Sequence, residues 1–230
     1  MSQPAGHIIS DTIGAVHGVY IIDDRLMGGY IEYPENQQQP CIIMSLPTDA
    51  DEMTRRRFAH EAMIGLEVTR DHENLLTTLQ FGEWADRQLF IAFEHIRGHT
   101  VYEKLADLQG DYGMVRSILR SVVGALDHLH KRGVAHGWVA AENLLIGADG
   151  IIRLGNLGRA KRPCEPNDKV NDLRALGTLL FGLCYGDAVL TVPDECYAEH
   201  IPLDVPGELV LAIALLIAEG ANTALPSDEL

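Results

Sequence analysis

The sequence predicts an α+β fold in which a small antiparallel β-sheet precedes a mostly helical region. Short β-branched and aromatic runs, separated by glycine and polar turns, fill residues 8–46. Beyond residue 100, apolar side chains recur instead at the three- and four-residue spacing of helices, most clearly over 114–130. At 230 residues, 47% of them hydrophobic, the chain is long enough to bury a core of this kind.

The N-terminal elements follow from local patterns. The β-branched and aromatic runs predict strands at Ile8–Ile9, Gly18–Ile22, Gly29–Tyr33 and Pro40–Met44. Glycines, an Asp-Asp pair and the polar stretch 34–40 separate these runs, so neighbouring strands are expected to pair in the antiparallel sense. Mixed three- and four-residue spacing of apolar side chains then predicts an amphipathic helix over 50–69.

The C-terminal elements are predicted to be mainly helical. A long amphipathic helix over 114–130 ends at Lys131–Gly133, where basic residues and then glycine are typical of a helix terminus. The Asp-Gly pair inside 144–154 predicts a two-stranded hairpin. The apolar run 209–218 is much shorter than the roughly 20 residues of a membrane span, so it predicts a buried helix.

Composition argues against several classes of function. A formal net charge of −15 disfavours a nucleic-acid surface, because phosphate binding depends on clustered lysine and arginine. The four cysteines lie far apart, which favours free thiols in the cytoplasm over a zinc site or a disulfide framework. The ten histidines form no metal-binding motif, and residues 1–7 lack the features of a signal peptide.

Two short motifs separated by the predicted hairpin stand at the centre of the chain. His136–Asn143 (HGWVAAEN) begins with histidine and ends with asparagine, and Asn156–Gly158 (NLG) follows the hairpin. The segment resembles the catalytic core of a serine/threonine-type protein kinase, which carries His-Arg-Asp-Leu-Lys-x-x-Asn and then Asp-Phe-Gly. The resemblance puts Trp138 at the catalytic base, Ala140 at the lysine and Asn156 at the magnesium-binding aspartate.

The resemblance implies a bilobal fold with a β-rich N-lobe over 1–98 and a helical C-lobe over 99–230, together one kinase-like domain. Residues 79–83 and 88–93 resemble strands four and five of the N-lobe, and 101–105 suit the short helix that opens the C-lobe. The C-terminal helices of the family are expected to be truncated here.

The N-lobe lacks residues that hold the phosphates in the family. Gly14 and Gly18 resemble a reduced glycine-rich loop, although a plain hairpin turn explains them equally well. Met44 falls at the phosphate-binding lysine, and the stretch Met1–Glu103 contains no lysine that could replace it. Glu61 falls at the glutamate that pairs with that lysine, so only a structural role is expected for it.

Other parts of the nucleotide site are implied in weaker form. Phe93 matches the gatekeeper, while Glu94 and Ile96 match the backbone groups that bind adenine; Phe93 could equally plug the pocket from behind. Asn143 and Asn156 would offer only amide oxygens to a cation, and amides hold magnesium poorly compared with carboxylates. No metal is therefore expected, and the one cofactor left open is ATP bound without magnesium.

The activation segment, which presents the peptide substrate in kinases, is short. Thirteen residues separate Gly158 from Asp172, and they contain no Ala-Pro-Glu motif. Residues 171–186 resemble the start of the following helix, whose Asp172 would bond the backbone around His136. The resemblance therefore assigns His136, Gly158, Asp172 and Gly177 to the scaffold.

Taken together, the losses imply a pseudokinase that acts as a regulatory or protein-binding module, bacterial in style. Its partner would be another protein, such as an active kinase or a signalling component. Two alternatives stay open from the residues alone. One is a divergent ATP-dependent kinase or nucleotide transferase with residual activity, and the other is an interaction scaffold with an occluded nucleotide cleft.

Overall fold

A computed structural model describes residues 15–21, 26–32, 38–84, 87–186 and 205–218. The chain divides into two compact units. The first holds the described residues up to Asp71 together with Leu76–Ile96, and the second holds His72–Leu75 and the described residues from Arg97 onward.

The first unit is built on a five-stranded antiparallel sheet with the strand order β1-β2-β3-β5-β4. Its strands are β1 (Ala15–Ile21), β2 (Leu26–Glu32), β3 (Gln38–Ser45), β4 (Thr78–Glu83) and β5 (Leu89–Glu94). Helix α1 (Glu52–Val68) connects β3 to β4. It begins after Asp51, whose carboxylate accepts a hydrogen bond from the Thr54 backbone N–H at 2.7 Å.

Successive side chains along β3 and β5 point to opposite sides of the sheet, and both sides are apolar. One face carries a buried cluster of Ile31, Cys41, Ile43, Leu79, Phe90 and Ala92. The other face joins Ile91 and Leu46 to Phe58 and Ala62 of helix α1. Because helix α1 covers only the second face, its residues determine the surroundings of the side chains at the end of β3.

The second unit is mainly helical. Its helices are α2 (Leu105–Leu108), α3 (Tyr112–Lys131), α4 (Pro166–Tyr185) and α5 (Gly207–Ala218). A small antiparallel sheet in the order β6-β7-β8 is formed by β6 (Gly98–Thr100), β7 (Leu144–Gly147) and β8 (Ile152–Leu154). A short 3-10 helix, Ala141–Asn143, leads directly into β7.

Helices α4 and α5 pack closely at Gly177. A Cβ atom placed on Gly177 would lie 2.7 Å from Ile217 Cγ1 and 2.9 Å from Leu216 Cβ. Contacts this short are not tolerated by real side chains, so the close approach of the two helices requires glycine at this position.

The segment His72–Leu75 belongs to the second unit although the residues on either side belong to the first. The Leu154 backbone N–H donates to the Asn74 carbonyl at 2.8 Å, and Asn74 Nδ2 donates to the Ile152 carbonyl at 2.9 Å. The His72 ring lies 4.8 Å from the His128 ring. These contacts attach the segment to β8 and to the end of α3.

The α+β prediction, with a small antiparallel sheet followed by a helical region, is confirmed. The short helix expected over 101–105 is misplaced, because 101–104 form turns and α2 begins at Leu105. Helix α4 begins earlier than residue 171, since Pro166 starts it and Glu165 caps it reciprocally with Asp168. The predicted strand Ile8–Ile9 lies outside the described residues. Among the helices that are described, none is both long and apolar enough to cross a membrane.

Candidate functional site

The candidate site of the second unit is the catalytic-loop segment, defined as residues 136–143 with residues 155–159. The first unit carries the expected phosphate- and adenine-binding positions.

Met44 and Phe93 lie in an apolar environment in the first unit. Met44 pairs across strands with Ile91 near the end of β3, and Phe93 lies near the end of β5. Both side chains are half-buried against the cluster of Leu46, Phe58, Ala62 and Ile91. The position expected to carry a phosphate-binding cation is therefore a packing position beside α1.

Glu61 lies on the buried side of helix α1 and is 7% exposed. Its side chain therefore does not face solvent. Gly18 lies within β1, where the pairing with β2 shifts register between His17 and Tyr20, so it does not belong to a hairpin turn. Gly14 lies outside the described residues.

At the end of β5 and just after it, only some of the backbone groups form hydrogen bonds within the protein. The Glu94 backbone N–H donates to the Thr77 carbonyl at 2.9 Å, and its carboxylate accepts from the Thr77 N–H at 2.9 Å. Within the described part of the chain, the Ile96 backbone N–H has no hydrogen-bond partner. One donor of the expected adenine-binding segment is therefore available to a ligand.

Asp172 organises the start of the catalytic loop. Its carboxylate is 1% exposed and accepts from the backbone N–H groups of His136 at 2.8 Å and Gly137 at 2.7 Å. It also accepts from His130 Nε2 at 2.8 Å. Helix α4 thus holds the turn of the loop and the last turn of α3 through one buried carboxylate.

His136 is completely buried in the loop that Asp172 holds. Its Nε2 donates to the Gly155 carbonyl at 2.9 Å, and its Nδ1 accepts from the Trp138 backbone N–H at 3.2 Å. This pattern needs a neutral imidazole. Burial lowers the pKa of His136 below its usual value and outweighs the opposing influence of Asp172.

Gly137 occupies the arginine position of the family motif. Its φ is +76°, and a Cβ atom placed on it would lie 2.4 Å from the Arg159 carbonyl oxygen. The backbone of the segment after Gly158 therefore runs close to the loop, at a point where only glycine fits.

Trp138 stands at the expected position of the catalytic base and is half-buried. The guanidinium carbon of Arg159 lies 4.0 Å from the centre of its ring, within the range of a cation–π contact. The Trp138 carbonyl accepts from Asn143 Nδ2 at 2.9 Å. An aromatic ring with a cation stacked on it cannot accept a proton from a substrate hydroxyl.

The two asparagines expected at a magnesium site bond to each other. Asn156 Nδ2 donates to Asn143 Oδ1 at 2.9 Å, and Asn156 Oδ1 accepts from the Gly158 backbone N–H at 3.3 Å. With the bond from Asn143 to Trp138, they form a continuous amide chain. Both amide oxygens already accept hydrogen bonds and neither carries a charge, so this donor set does not fit magnesium.

Ala140 occupies the lysine position of the motif and is half-buried. Its carbonyl accepts from the Asn143 backbone N–H at 3.0 Å, which closes the short 3-10 helix. Asn156 has a φ of 66°, in a region that asparagine tolerates better than most residues. These two positions therefore serve the shape of the loop.

The segment from Gly158 to helix α4 lies against residues 133–135, which follow α3. Lys161 and Ala135 exchange backbone hydrogen bonds of 2.9 and 3.0 Å, and the Cys164 N–H donates to the Gly133 carbonyl at 2.8 Å. Lys161 Nζ contacts the Asp168 carboxylate at 2.6 Å. The short activation segment is thus an ordered strap that leads straight into α4.

Neither a metal cluster nor a disulfide is found in the described part of the chain. It contains no group of three or more histidine, cysteine or acidic side chains placed to hold a metal ion. Cys41, Cys164 and Cys184 are free thiols. Burial raises the pKa of Cys41 to about 12 and that of Cys184 to about 11, so both remain neutral.

The loop thus brings together His136, Trp138, Ala140, Asn143, Asn156, Gly158 and Asp172. The sequence did not predict the contributions of His130, Gly137 and Arg159. His130 precedes His136 by one short loop, but its pairing with Asp172 depends on the packing of α3 and α4. Arg159 carries no motif of its own, and its only signal was its place directly after Gly158.

The lowered pKa values of His72 and His136 predict that the folded state loses stability on acidification. Burial and the neighbouring His128 and Arg132 lower the pKa of His72, and they outweigh the carboxylates of Glu73 and Asp127. Because its folded pKa lies below the unfolded value of 6.5, the unfolded state binds the proton more tightly. This contribution is complete above pH 6.5 and declines as the pH falls through the folded pKa. His136 acts in the same direction.

We therefore expect the free energy of unfolding to fall between about pH 7 and pH 5, above the range in which ordinary carboxylates titrate. Urea unfolding across this range should show a shallower decline for His72→Asn than for the native chain. His99→Asn, at an exposed position, is the matched control and should leave the slope unchanged. An unchanged slope in His72→Asn would contradict the prediction.

Comparison with known proteins agrees with the fold and the loop. The family model described as "Protein kinase domain" matches residues 34–181, well over half of the chain. Serine/threonine-protein kinase PknI of Mycobacterium tuberculosis is 29% identical over 171 residues, which are 70% of this chain and 27% of that protein. Serine/threonine-protein kinase pkn3 of Myxococcus xanthus is 33% identical over 98 residues, which are 42% of this chain and 18% of that protein. The chain thus spans a minor part of the length of both relatives. It belongs to the protein kinase domain family.

Proposed function

We propose that this kinase-family domain is a pseudokinase that acts as a regulatory, protein-binding module in the cytoplasm. The amide chain from Asn156 through Asn143 to Trp138 is the observation that carries the proposal. Asn143 Oδ1 accepts a hydrogen bond within this chain, and Asn156 Oδ1 accepts one from the Gly158 backbone N–H, so both amide oxygens at the expected magnesium position are used internally. A loop that is stabilised in this way keeps its shape without a metal or a nucleotide.

The proposal also rests on what phosphoryl transfer requires of a protein. Catalysis of this reaction is mostly positioning and charge stabilisation, supplied by a lysine, a magnesium-binding aspartate and a base. These positions hold Met44, Asn156 and Trp138. Losing one such group commonly costs on the order of 10²–10³ in rate. Their joint loss favours a binding role over an enzymatic one.

Nucleotide binding without magnesium remains part of the proposal. The Ile96 backbone N–H, which has no partner among the described residues, supports it because adenine can accept a hydrogen bond from such a donor. The second candidate is a divergent kinase with residual activity. It is favoured by the names of the relatives, which are serine/threonine-protein kinases.

Thermal unfolding with ATP in the presence of magnesium, manganese or EDTA separates these candidates, because a ligand raises stability only if it binds the folded state. We expect the same melting temperature with either metal as with EDTA. Incubation with radiolabelled ATP and a generic protein substrate should transfer no phosphate above a blank without protein.

Asn156→Asp is the informative variant, because it supplies the missing carboxylate and removes the donor of the bond to Asn143. We expect it to gain a magnesium-dependent shift and to lose some intrinsic stability. Asn74→Asp provides the control, since the Asn74 side-chain amide donates to the Ile152 carbonyl in β8, away from Asn143 and Asn156. A magnesium-dependent shift in the native chain, together with phosphate transfer, would favour the residual kinase instead.

A further inference from the structure

We infer that Arg159, held against the indole of Trp138, is the docking point for a single carboxylate side chain of a partner protein. This inference rests on the proposed protein-binding function and names the chemistry of the partner. The surface concerned is the exposed side of the strap at Arg159, with the half-buried ring of Trp138 beneath it.

The first observation is that Arg159 is not engaged by an acidic group of its own unit. Its side chain is exposed, and within the described residues its guanidinium forms no hydrogen bond or ion pair. Its guanidinium carbon lies 4.0 Å from the centre of the Trp138 ring. A guanidinium whose face contacts a ring can still offer N–H donors along its edge, in the fork that matches a carboxylate.

The second observation is that both halves of the pair are held in place before any partner binds. The Trp138 backbone is fixed by its N–H bond to His136 and its carbonyl bond from Asn143. The strap is fixed by the Ala160 N–H bond to the Leu157 carbonyl at 2.9 Å and by the pairing of Lys161 with Ala135. The backbone at both residues therefore needs no rearrangement when a partner binds, which favours recognition through this arginine.

The third observation concerns charge, and it selects the partner. Lys161, two residues along the strap, is already paired with Asp168 at 2.6 Å. The net charge of −15 repels polyanions such as nucleic acid and phosphate dianions more strongly than a singly charged carboxylate. One uncompensated guanidinium matches one carboxylate, so an aspartate or glutamate side chain is the ligand assigned here.

The chain contains two tryptophans, Trp84 and Trp138, so Trp84→Phe leaves Trp138 as the sole indole reporter. The probes are three synthetic peptides of sequence Gly-Leu-X-Leu-Gly with blocked ends, in which X is glutamate, glutamine or phosphoserine. We expect a saturable change in Trp138 fluorescence with the glutamate peptide, at an affinity about threefold above that of the glutamine peptide. Arg159→Gln should abolish the difference.

Arg162→Gln, on the same strap, is the matched control and should keep the preference for glutamate. If Trp84→Phe does not fold, fluorine NMR of the native chain labelled with 5-fluorotryptophan gives the same readout from two separate signals. Equal responses to glutamate and glutamine, a response unchanged in Arg159→Gln, or tighter binding of the phosphoserine peptide would each overturn the inference. None of these outcomes involves phosphate transfer, so failure here is distinguishable from failure of the proposed function.

Discussion

Asp172→Ala is expected to lower the free energy of unfolding by about 3–5 kcal/mol, the usual cost of removing one partner from a buried, hydrogen-bonded charge. The substitution leaves the N–H groups of His136 and Gly137 without their acceptor and removes the partner of His130. Since domains of this size are commonly stable by about 5–15 kcal/mol, this is a large share of the total. Urea unfolding followed by far-UV circular dichroism measures the loss.

Asp107→Ala is the control for Asp172→Ala. The Asp107 carboxylate also pairs with a cation, Lys104, but its side chain is 70% exposed. An exposed pair of this kind contributes at most about 1 kcal/mol. Asp172→Asn should fall between the two, because an amide retains one oxygen but places an N–H₂ group towards a donor. Similar losses for Asp172→Ala and Asp107→Ala would show that the buried carboxylate does not organise the loop.

Gly137→Arg is expected to destabilise the domain by about 2–4 kcal/mol, although it restores the residue that kinases carry after the histidine of this motif. An L-residue at a φ of +76° is strained, and its Cβ would lie 2.4 Å from the Arg159 carbonyl oxygen. The strap would have to move away from the loop, so the stacking of Arg159 on Trp138 should be lost as well. Thermal unfolding gives the first effect and tryptophan fluorescence the second.

Gly133→Ala separates the cost of a side chain at positive φ from the cost of a close contact with the strap. Gly133 has a φ of +72°, but nothing lies within 4 Å of a Cβ atom placed there. It should therefore show only the cost of the left-handed conformation, about 1–2 kcal/mol. Gly137→Ala adds the close contact to that cost and should lose more. Equal losses at the two glycines would mean that the strap adapts freely to a side chain at Gly137.

These variants bear on how the loop keeps its shape. Asp172 anchors its beginning, and the amide chain through Asn143 and Asn156 spans its remainder. The strap passes close to Gly137 through the carbonyl group of Arg159. Each of these contacts is internal to the second unit and involves no ligand.

Much of the candidate site could be predicted from its order along the chain. The resemblance to kinase motifs implied that His136, Asn143, Asn156, Gly158 and Asp172 lie together, and such positions do meet where the loop, the hairpin and the helix that carry them pack. The substitutions at Met44 and Trp138 were visible for the same reason. What could not be predicted were contacts without a sequence signature, such as the stack of Arg159 on Trp138.

The sequence alone determined the α+β class, the order of the elements and the replacement of the charged residues, because hydrophobic periodicity and turn residues act locally. Only the tertiary structure decided what the replacements do. The amide chain, the stack of Arg159 on Trp138 and the close approach of the strap to Gly137 join residues that are distant in sequence or set by backbone geometry. Hydrogen bonds and ring contacts depend on distances of a few ångströms, and packing alone sets those distances.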